Sequence, residues 1–373
     1  MTPSRVVVLV LLGLLAARGR LAAQNSVYGV QGVGFPGRAV SAESRGLGGG
    51  NAAFDPGSAL NPATAAGYSG VRASMSAATA VRRYTAYDST ITGLVETRFP
   101  LTMVGGRITG TPLSFAVSAA PYLERSFDFQ TTGTAVLRGD TVTVTDRVSS
   151  DGGMSDLRGA LAFRVRGMIA LGAAVHVLAG SSKLRVQREF SSSEYRPFSQ
   201  QSDLTFTGAG VSIGAVASLA PGLQLAGALR TDTRLRTTQE NFPTVSVNLP
   251  VTATGGVWLQ PVPRLLWSTT AQWRSWSTAQ NDLGSSVTAF DTWDVASGLE
   301  LGRTRPLRLG VRYATLPFSA RPQQARDVTL SAGTGLRFAQ RVYADLAVEH
   351  STRSGAGANE RVWYFAVGIA VVP

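Results

Sequence analysis

The sequence contains no cysteine and only one lysine, Lys183, among its 373 residues. Without cysteine the chain has neither a disulfide framework nor a cysteine-based metal site. No stretch beyond the N-terminal region reaches the roughly 18 consecutive apolar residues that a membrane-spanning helix requires. A mature chain that resides in a membrane must therefore cross it as strands, because only helices and closed barrels satisfy every backbone polar group in lipid.

The N-terminal region has the features of an export signal. Arg5 precedes an apolar run at 6–17, and the small residues Ala22 and Ala23 follow. This pattern predicts a secretory signal peptide at 1–23. We divide the rest into an N-terminal segment at 24–67, with neither strand alternation nor a helical stripe, and a β-domain at 68–373.

Acidic residues are fewer than basic ones, and the formal net charge is +12. Such an excess could indicate a nucleic-acid partner, but no basic cluster is interleaved with aromatic residues and the chain is predicted to be exported. We expect no nucleic-acid partner. The arginines are expected either to contact anionic lipid headgroups or surface polysaccharide, or to serve as the default cation of the chain.

Beyond residue 68 the chain shows about fourteen short strand patterns. Their connections alternate between tight turns, such as those at Gly110 and Gly167, and longer polar loops, an alternation typical of the two rims of an outer-membrane barrel. We predict an all-β, antiparallel transmembrane barrel of about fourteen strands in the outer membrane of a Gram-negative-type bacterium. The predicted strands are 69–82, 99–109, 112–123, 154–165, 168–180, 203–219, 223–234, 251–260, 264–275, 290–302, 307–315, 327–339, 342–350 and 361–371. A soluble secreted β-protein is the alternative.

The strand faces predict which charges point inward. At 307–313, Leu309 and Val311 share the face opposite Arg308 and Arg312. An arginine facing the bilayer midplane costs about 2 to 4 kcal/mol, so these arginines are expected in the lumen. The same argument gives a balanced set of lumen charges that forms a polar conduit, holds a plug or stiffens the wall: Arg274, Asp294, Glu300, Arg308, Arg312, Arg337, Asp345 and Glu349.

Catalytic and cofactor signals are weak. The stretch at 32–37 formally matches a dinucleotide-binding pattern, but it follows no strand and carries a proline where a helix should begin. The two histidines, His176 and His350, lack metal-ligand spacing. We therefore expect no cofactor, no metal and no enzymatic activity. The alternative is a barrel hydrolase built around His350.

The N-terminal segment carries the most specific motif. Arg45, Gly46, Gly48 and Gly49 are followed by Asp55 and by an Asn-Pro-Ala motif at 61–63. This order resembles the N-terminal signature of the FadL-type outer-membrane transport proteins and their PorV-like relatives. The residues that carry the resemblance, and that it places in a lumen plug, are Arg45, Gly46, Gly48, Gly49, Asp55, Asn61, Pro62 and Ala63.

The resemblance implies a plug within the barrel and a kink in the third strand that opens the wall sideways. Pro121, within the predicted third strand, lacks the N–H that a ladder needs and is the candidate kink, or else it ends the strand at the rim. Polar loops would capture a hydrophobic or amphipathic small molecule, the plug would shift, and the ligand would leave into the membrane. The loop at 128–153 departs from the family because it reads as a polar hairpin turning at Gly139 and Asp140.

The partners expected are outer-membrane lipids and lipopolysaccharide, a hydrophobic small-molecule ligand of the long-chain fatty-acid type, the barrel assembly machinery and other envelope proteins. The alternative function is a PorV-like scaffold or cargo-binding protein of a secretion system.

Overall fold

A computed structural model describes residues 26–86, 89–165, 167–240, 242–339 and 341–372. The predicted signal peptide at 1–23 lies outside these ranges. Fourteen strands in the described part of the chain form a closed antiparallel barrel, which confirms the predicted fold class. These strands are β1 (Arg72–Ala86), β2 (Ser89–Arg107), β3 (Leu113–Glu124), β4 (Asp140–Val165), β5 (Ile169–Phe190), β6 (Phe198–Ala220), β7 (Leu223–Asp232), β8 (Thr252–Val262), β9 (Leu265–Arg274), β10 (Thr292–Leu301), β11 (Leu307–Thr315), β12 (Arg326–Ala339), β13 (Val342–Gly355) and β14 (Ala358–Val371).

Each barrel strand pairs with its neighbours in the chain, and β14 closes the barrel on β1. The closing register runs from Ala73 opposite Val371 to Ala86 opposite Ala358. Because successive side chains of a strand point to opposite faces, every strand contributes alternately to the lumen and to the outer surface.

The predicted division between an apolar outer face and a charged inner face is present on β11. Leu309 is 47% exposed and Val311 46%, whereas Arg308 is 6% exposed and Arg312 7%. This arrangement, with leucine and valine outside and arginine inside, is the reverse of that in a soluble protein. The outer surface therefore suits contact with lipid.

Several strands extend further on the extracellular side than the sequence predicts. The ladder between β1 and β2 continues to Ala86 opposite Ser89, where we expected a long loop. Likewise β4 begins at Asp140, and β5 continues to Phe190. The prediction matched strand length to the bilayer, but the β4 extension has alternating threonine and valine at 141–145, which favour strand structure in water as well.

Short elements complete the extracellular side. A strand at Phe127–Leu137 forms a hairpin with the first half of β4, which confirms the polar hairpin. Its turn lies at Arg138 and Gly139, one residue earlier than predicted, and both have positive φ. The other elements here are two helices and four short strands. The helices are a 3-10 helix at Trp276–Ala279 and a short α-helix at Gln280–Leu283, and the strands are Leu235–Gln239, Val245–Val247, Thr288–Ala289 and Phe318–Ser319.

The N-terminal segment, described from residue 26 to residue 67, lies against the inner face of the barrel. It contains 3-10 helices at Val27–Gly29 and Pro62–Gly67, a two-residue strand at Phe35–Pro36, and helix α1 at Ala42–Gly46. Leu47 is fully buried in it. No helix among the described residues combines the length and hydropathy needed to span a membrane.

Candidate functional site: the barrel lumen

The N-terminal segment is built around the carboxylate of Asp55. Its oxygens accept hydrogen bonds from the hydroxyls of Ser41 at 2.5 Å, Ser44 at 2.8 Å and Ser58 at 2.7 Å, and from the Gly57 amide at 2.7 Å. The Ser41 hydroxyl also accepts from the Ser44 amide and so caps α1 at its N terminus. One acidic residue thus ties the start of α1 to the chain that follows it.

The Asn-Pro-Ala motif attaches the segment to the wall. The Asn61 side-chain amide donates to the carbonyl oxygens of Ala53 and of Ala215 on β6, both at 3.1 Å. Its side-chain oxygen accepts from the Ala63 amide at 3.0 Å, and Pro62 occupies the first turn of the 3-10 helix. Because one of these hydrogen bonds reaches the backbone of β6, the motif is a docking point on that strand.

Arg45 joins the segment to the opposite wall. Its guanidinium lies 2.8 Å from the Glu349 carboxylate of β13, and Arg38 lies 2.9 Å from the other oxygen of that carboxylate. The Glu349 side chain is fully buried. Because a buried carboxylate is stable only when its partners remain, these two contacts resist removal of the segment.

The glycines of the signature allow close approach between the segment and the wall. A Cβ on Gly46 would lie 3.2 Å from the Cα of Gly333, on β12. Gly48 has a φ of +68° and lies against the backbone of Val311, while Gly49 has a φ of +106°. Side chains here would either strain the backbone or push the segment off β11 and β12.

Five of the predicted lumen charges of β10 to β13 meet in two clusters. Arg308 contacts the carboxylates of Glu300 at 2.7 Å and Asp345 at 2.6 Å, and Glu43 of α1 at 3.5 Å. Burial of the Glu43 carboxyl, and next the charge of Asp55, raise the pKa of Glu43 to about 8. The Glu43 carboxyl is therefore expected to change its protonation state slightly above neutral pH.

The second cluster centres on Arg312, which lies 2.7 Å from Asp294 and 3.1 Å from Asp327. Of the three other members of the predicted set, Glu349 binds Arg38 and Arg45, and two lie apart. Arg274 donates to the side-chain oxygen of Gln272 at 2.6 Å, and Arg337 is exposed toward the rim, above the ring of Tyr343.

Several charged residues of the same network were missed by the sequence analysis. Asp327 also contacts Arg353 at 3.1 Å, and Glu360 accepts from Arg353 at 2.9 Å and from Arg82 at 3.1 Å. The Ser26 hydroxyl donates to Glu360 at 2.6 Å. Arg353 and Glu360 were missed because one predicted strand ended at residue 350 and the next began at residue 361. Arg82 and Asp327 lie at the ends of predicted strands, and neither was assigned to the lumen.

The wall is interrupted beside Pro121. Among the described residues, pairing between β2 and β3 runs from Arg107 opposite Ser114 to Thr102 opposite Ala119. Beyond that point the edge of β3 pairs with Phe35–Pro36 of the N-terminal segment, and the Gly37 amide donates to the Tyr122 carbonyl at 2.9 Å. The proline therefore lies within the strand and not at its end. We call this interruption the wall gap.

An apolar cavity of about 430 Å³ opens among the extracellular segments. Leu204 and Phe206 of β6, Val247, and Val33 of the N-terminal segment help to line it. Val33 also lines a smaller cavity of about 10 Å³ that reaches Leu123 of β3. Val33 therefore borders both the extracellular cavity and the space beside β3.

These features define the class of protein. A closed barrel satisfies its strand backbone internally, and its exposed apolar outer belt is stable in contact with lipid and not with water. The protein is an outer-membrane β-barrel, as predicted.

Solved structures give the particular fold. The chain is similar to a Pseudomonas aeruginosa FadL homologue, with a TM-score of 0.62 and 14% identity over 91% of this chain and 99% of that one. It is also similar to the CymD monoaromatic hydrocarbon channel, with a TM-score of 0.59 and 13% identity over 90% of this chain and 98% of that one. The Ralstonia pickettii toluene transporter TbuX is similar with a TM-score of 0.58 and 15% identity, over 93% of this chain and 100% of that one.

The predicted resemblance is therefore confirmed as a FadL-type outer-membrane transport fold. No family model and no curated protein sequence matches the chain.

Proposed function

We propose that this protein is a passive outer-membrane channel for hydrophobic or amphipathic small molecules, which leave sideways through the wall gap. The observation that carries the proposal is the end of the β2–β3 ladder beside Pro121, where a piece of the N-terminal segment takes the place of the missing strand. A FadL homologue, a monoaromatic hydrocarbon channel and a toluene transporter share the fold, which supports this class of ligand.

Capture is assigned to the extracellular apolar cavity. The sequence suggested polar loops for this step, but Leu204, Phe206 and Val247 offer a surface that favours apolar ligands over water. A volume of about 430 Å³ accommodates a monoaromatic ring or part of an acyl chain. The expected ligand is therefore apolar and of moderate size. A ligand of the long-chain fatty-acid type would have to extend its chain beyond the cavity.

The gate is assigned to residues 35–37. They hold the free edge of β3 through a two-residue ladder and one additional hydrogen bond. Asp55, Asn61 and Arg45 fix the rest of the segment by many more contacts. We therefore place the movement in this short strand and regard 24–67 as a plug of which most remains seated.

The absence of cysteine permits a direct test of this gate. Pro36 and Leu123 are opposed in the antiparallel register, so cysteines at both positions lie within reach of a disulfide. The variant Pro36→Cys, Leu123→Cys is reconstituted in liposomes, and uptake of radiolabelled toluene and of an alkyl fatty acid is measured. Uptake should be blocked when the bridge is oxidised and restored by reduction.

The single variants Pro36→Cys and Leu123→Cys serve as controls, since neither can form the bridge. Equal uptake by the oxidised and reduced double variant would refute lateral exit through this gap. The scaffold function would be favoured instead if the unmodified protein took up neither compound and co-purified stably with another envelope protein.

A further inference from the structure

Three polar side chains on neighbouring strands meet in the lumen below the wall gap. Asp156 of β4, His176 of β5 and Ser212 of β6 are all buried. His176 Nδ1 lies 2.9 and 3.0 Å from the two carboxylate oxygens of Asp156, and its Nε2 lies 2.9 Å from Ser212 Oγ. Neither the channel function nor the ion pairs of β10 to β14 require this arrangement.

The partners determine the roles of the two ring nitrogens. An ionised carboxylate only accepts hydrogen bonds, so Nδ1 of His176 carries the proton and donates it to Asp156. Nε2 is then an acceptor, and the Ser212 hydroxyl donates to it. This order of hydroxyl, imidazole and carboxylate is the one that activates a serine as a nucleophile.

Arg230, on the neighbouring strand β7, supplies a donor that faces the same cavity as Ser212. It is the cross-strand partner of Ser212 in the β6–β7 register. Its Nη1 contacts Asp156 at 2.5 Å and its Nε contacts Asp232 at 2.9 Å, while the guanidinium lies 4.8 Å from the centre of the Tyr122 ring. Within the described part of the chain, its Nη2 is buried and has no hydrogen-bond partner.

A fixed cation with an unused N–H next to a nucleophile is suited to stabilise a developing oxyanion. The arginine is held on three sides, so it needs little reorganisation when negative charge appears. Its contact with Asp156 also keeps that carboxylate charged and oriented toward His176.

The four side chains share a cavity of about 60 Å³ with Gly37 and Pro121. A ligand that enters the lumen therefore reaches Ser212 at the place where the N-terminal segment seals the wall. The cavity admits a short acyl group, and the remainder of a ligand would extend toward the gap.

We propose that Ser212, His176 and Asp156 form a catalytic triad that hydrolyses a small, uncharged carboxylic ester within the lumen. Ser212 Oγ bonds to the ester carbonyl carbon while its proton passes to His176 Nε2, and Arg230 Nη2 stabilises the oxyanion. The carbon–oxygen bond to the alcohol then breaks, and the alcohol leaves with the proton from His176. Water, deprotonated by His176, attacks the acyl-serine, and the carboxylic acid and free Ser212 result.

This activity lies beyond channel function and differs from the sequence-based expectation, which gave no enzymatic activity and considered only His350. The three residues are separated by 20 and 36 positions in the chain. Only the register of β4, β5 and β6 brings them together.

The test uses the full-length barrel in detergent, with a fluorophosphonate probe and with p-nitrophenyl butyrate. The probe should modify one serine, which peptide mapping identifies as Ser212, and the ester should be hydrolysed. Ser212→Ala and His176→Gln should each reduce hydrolysis by about 100-fold or more. Ser268→Ala is the matched control because Ser268 is a fully buried lumen serine of β9, and it should retain full activity.

Two outcomes would overturn the proposal and leave a purely structural network. One is the absence of probe labelling at Ser212 in the unmodified protein, and the other is equal hydrolysis by Ser212→Ala and the unmodified protein. Labelling does not depend on any variant, so a misfolded Ser212→Ala barrel would not obscure the result. Because the assay measures ester cleavage without transport, its outcome is independent of the channel proposal.

Discussion

The two sides of the lumen are built differently. On the β10 to β14 side, buried ion pairs join the wall to α1 and the signature glycines lie on the backbone of β11 and β12. On the β2 to β7 side, the wall gap, the cavities and the Asp156–His176–Ser212 arrangement lie together. Both sides hold the N-terminal segment, by ion pairs on one and by Asn61 on β6 on the other, but only the β2 to β7 side also carries the wall gap through which we propose that ligands pass. Such a division lets a short strand move without loss of the whole segment.

The largest effect is expected where the segment is held most firmly. Glu349→Gln leaves Arg38 and Arg45 without their shared carboxylate, and loss of one partner of a buried pair costs about 3 to 5 kcal/mol. The free energy of unfolding in detergent, measured by urea denaturation, should fall accordingly. Glu300→Gln should cost much less, because Arg308 keeps Asp345. Equal losses for the two variants would remove the special role given to Glu349.

A substitution on the outer face should affect both sides of the barrel equally. Leu309 on β11 and Val117 on β3 are 47% and 57% exposed toward lipid. An arginine in place of either should destabilise the barrel in a bilayer by about 2 to 4 kcal/mol, since both would face hydrocarbon. Refolding titrations into lipid vesicles measure this cost. A much smaller cost for Val117→Arg would show that the asymmetry extends to the outer surface.

The gate should respond to one added methyl group. A Cβ at Gly37 would overlap the carbonyl oxygen of Pro121, so Gly37→Ala should push residues 35–37 off β3. Overpacking of this kind costs about 1 to 3 kcal/mol, which should raise the rate of hydrophobic uptake in liposomes several-fold. Gly70→Ala is the matched control because its added Cβ meets open space. Unchanged or lower uptake in Gly37→Ala would contradict the position of the gate.

A pH dependence is expected on the anchored side. The pKa of Glu43 is about 8 in the folded chain and 4.5 in a free side chain, so the folded state binds more protons between these values. Stability should therefore fall as the pH rises through this window, and Glu43→Gln should flatten the slope. Melting temperatures between pH 5 and pH 9 test this. The exposed Glu189→Gln should keep the slope of the unmodified protein, and an unchanged slope in Glu43→Gln would exclude Glu43 as its source.

Sequence alternation was sufficient to predict most of the barrel. The inward direction of Arg308 and Arg312 followed from two-residue periodicity and the cost of charge in lipid, and the structure places both in the lumen. The same reasoning failed for Arg353 and Glu360 because strand length was matched to the bilayer, while the ladder continues into water. His176 was also underestimated, since its partners are distant in the sequence.

By itself, the sequence determined the strand number, the faces of the strands and the family signature of the N-terminal segment, because these depend on local periodicity and short-range motifs. Tertiary structure alone decided which carboxylate meets which arginine, where the β2–β3 ladder stops and which hydroxyl meets His176. These contacts depend on the register between strands, and a shift of two residues would preserve every face while changing every partner.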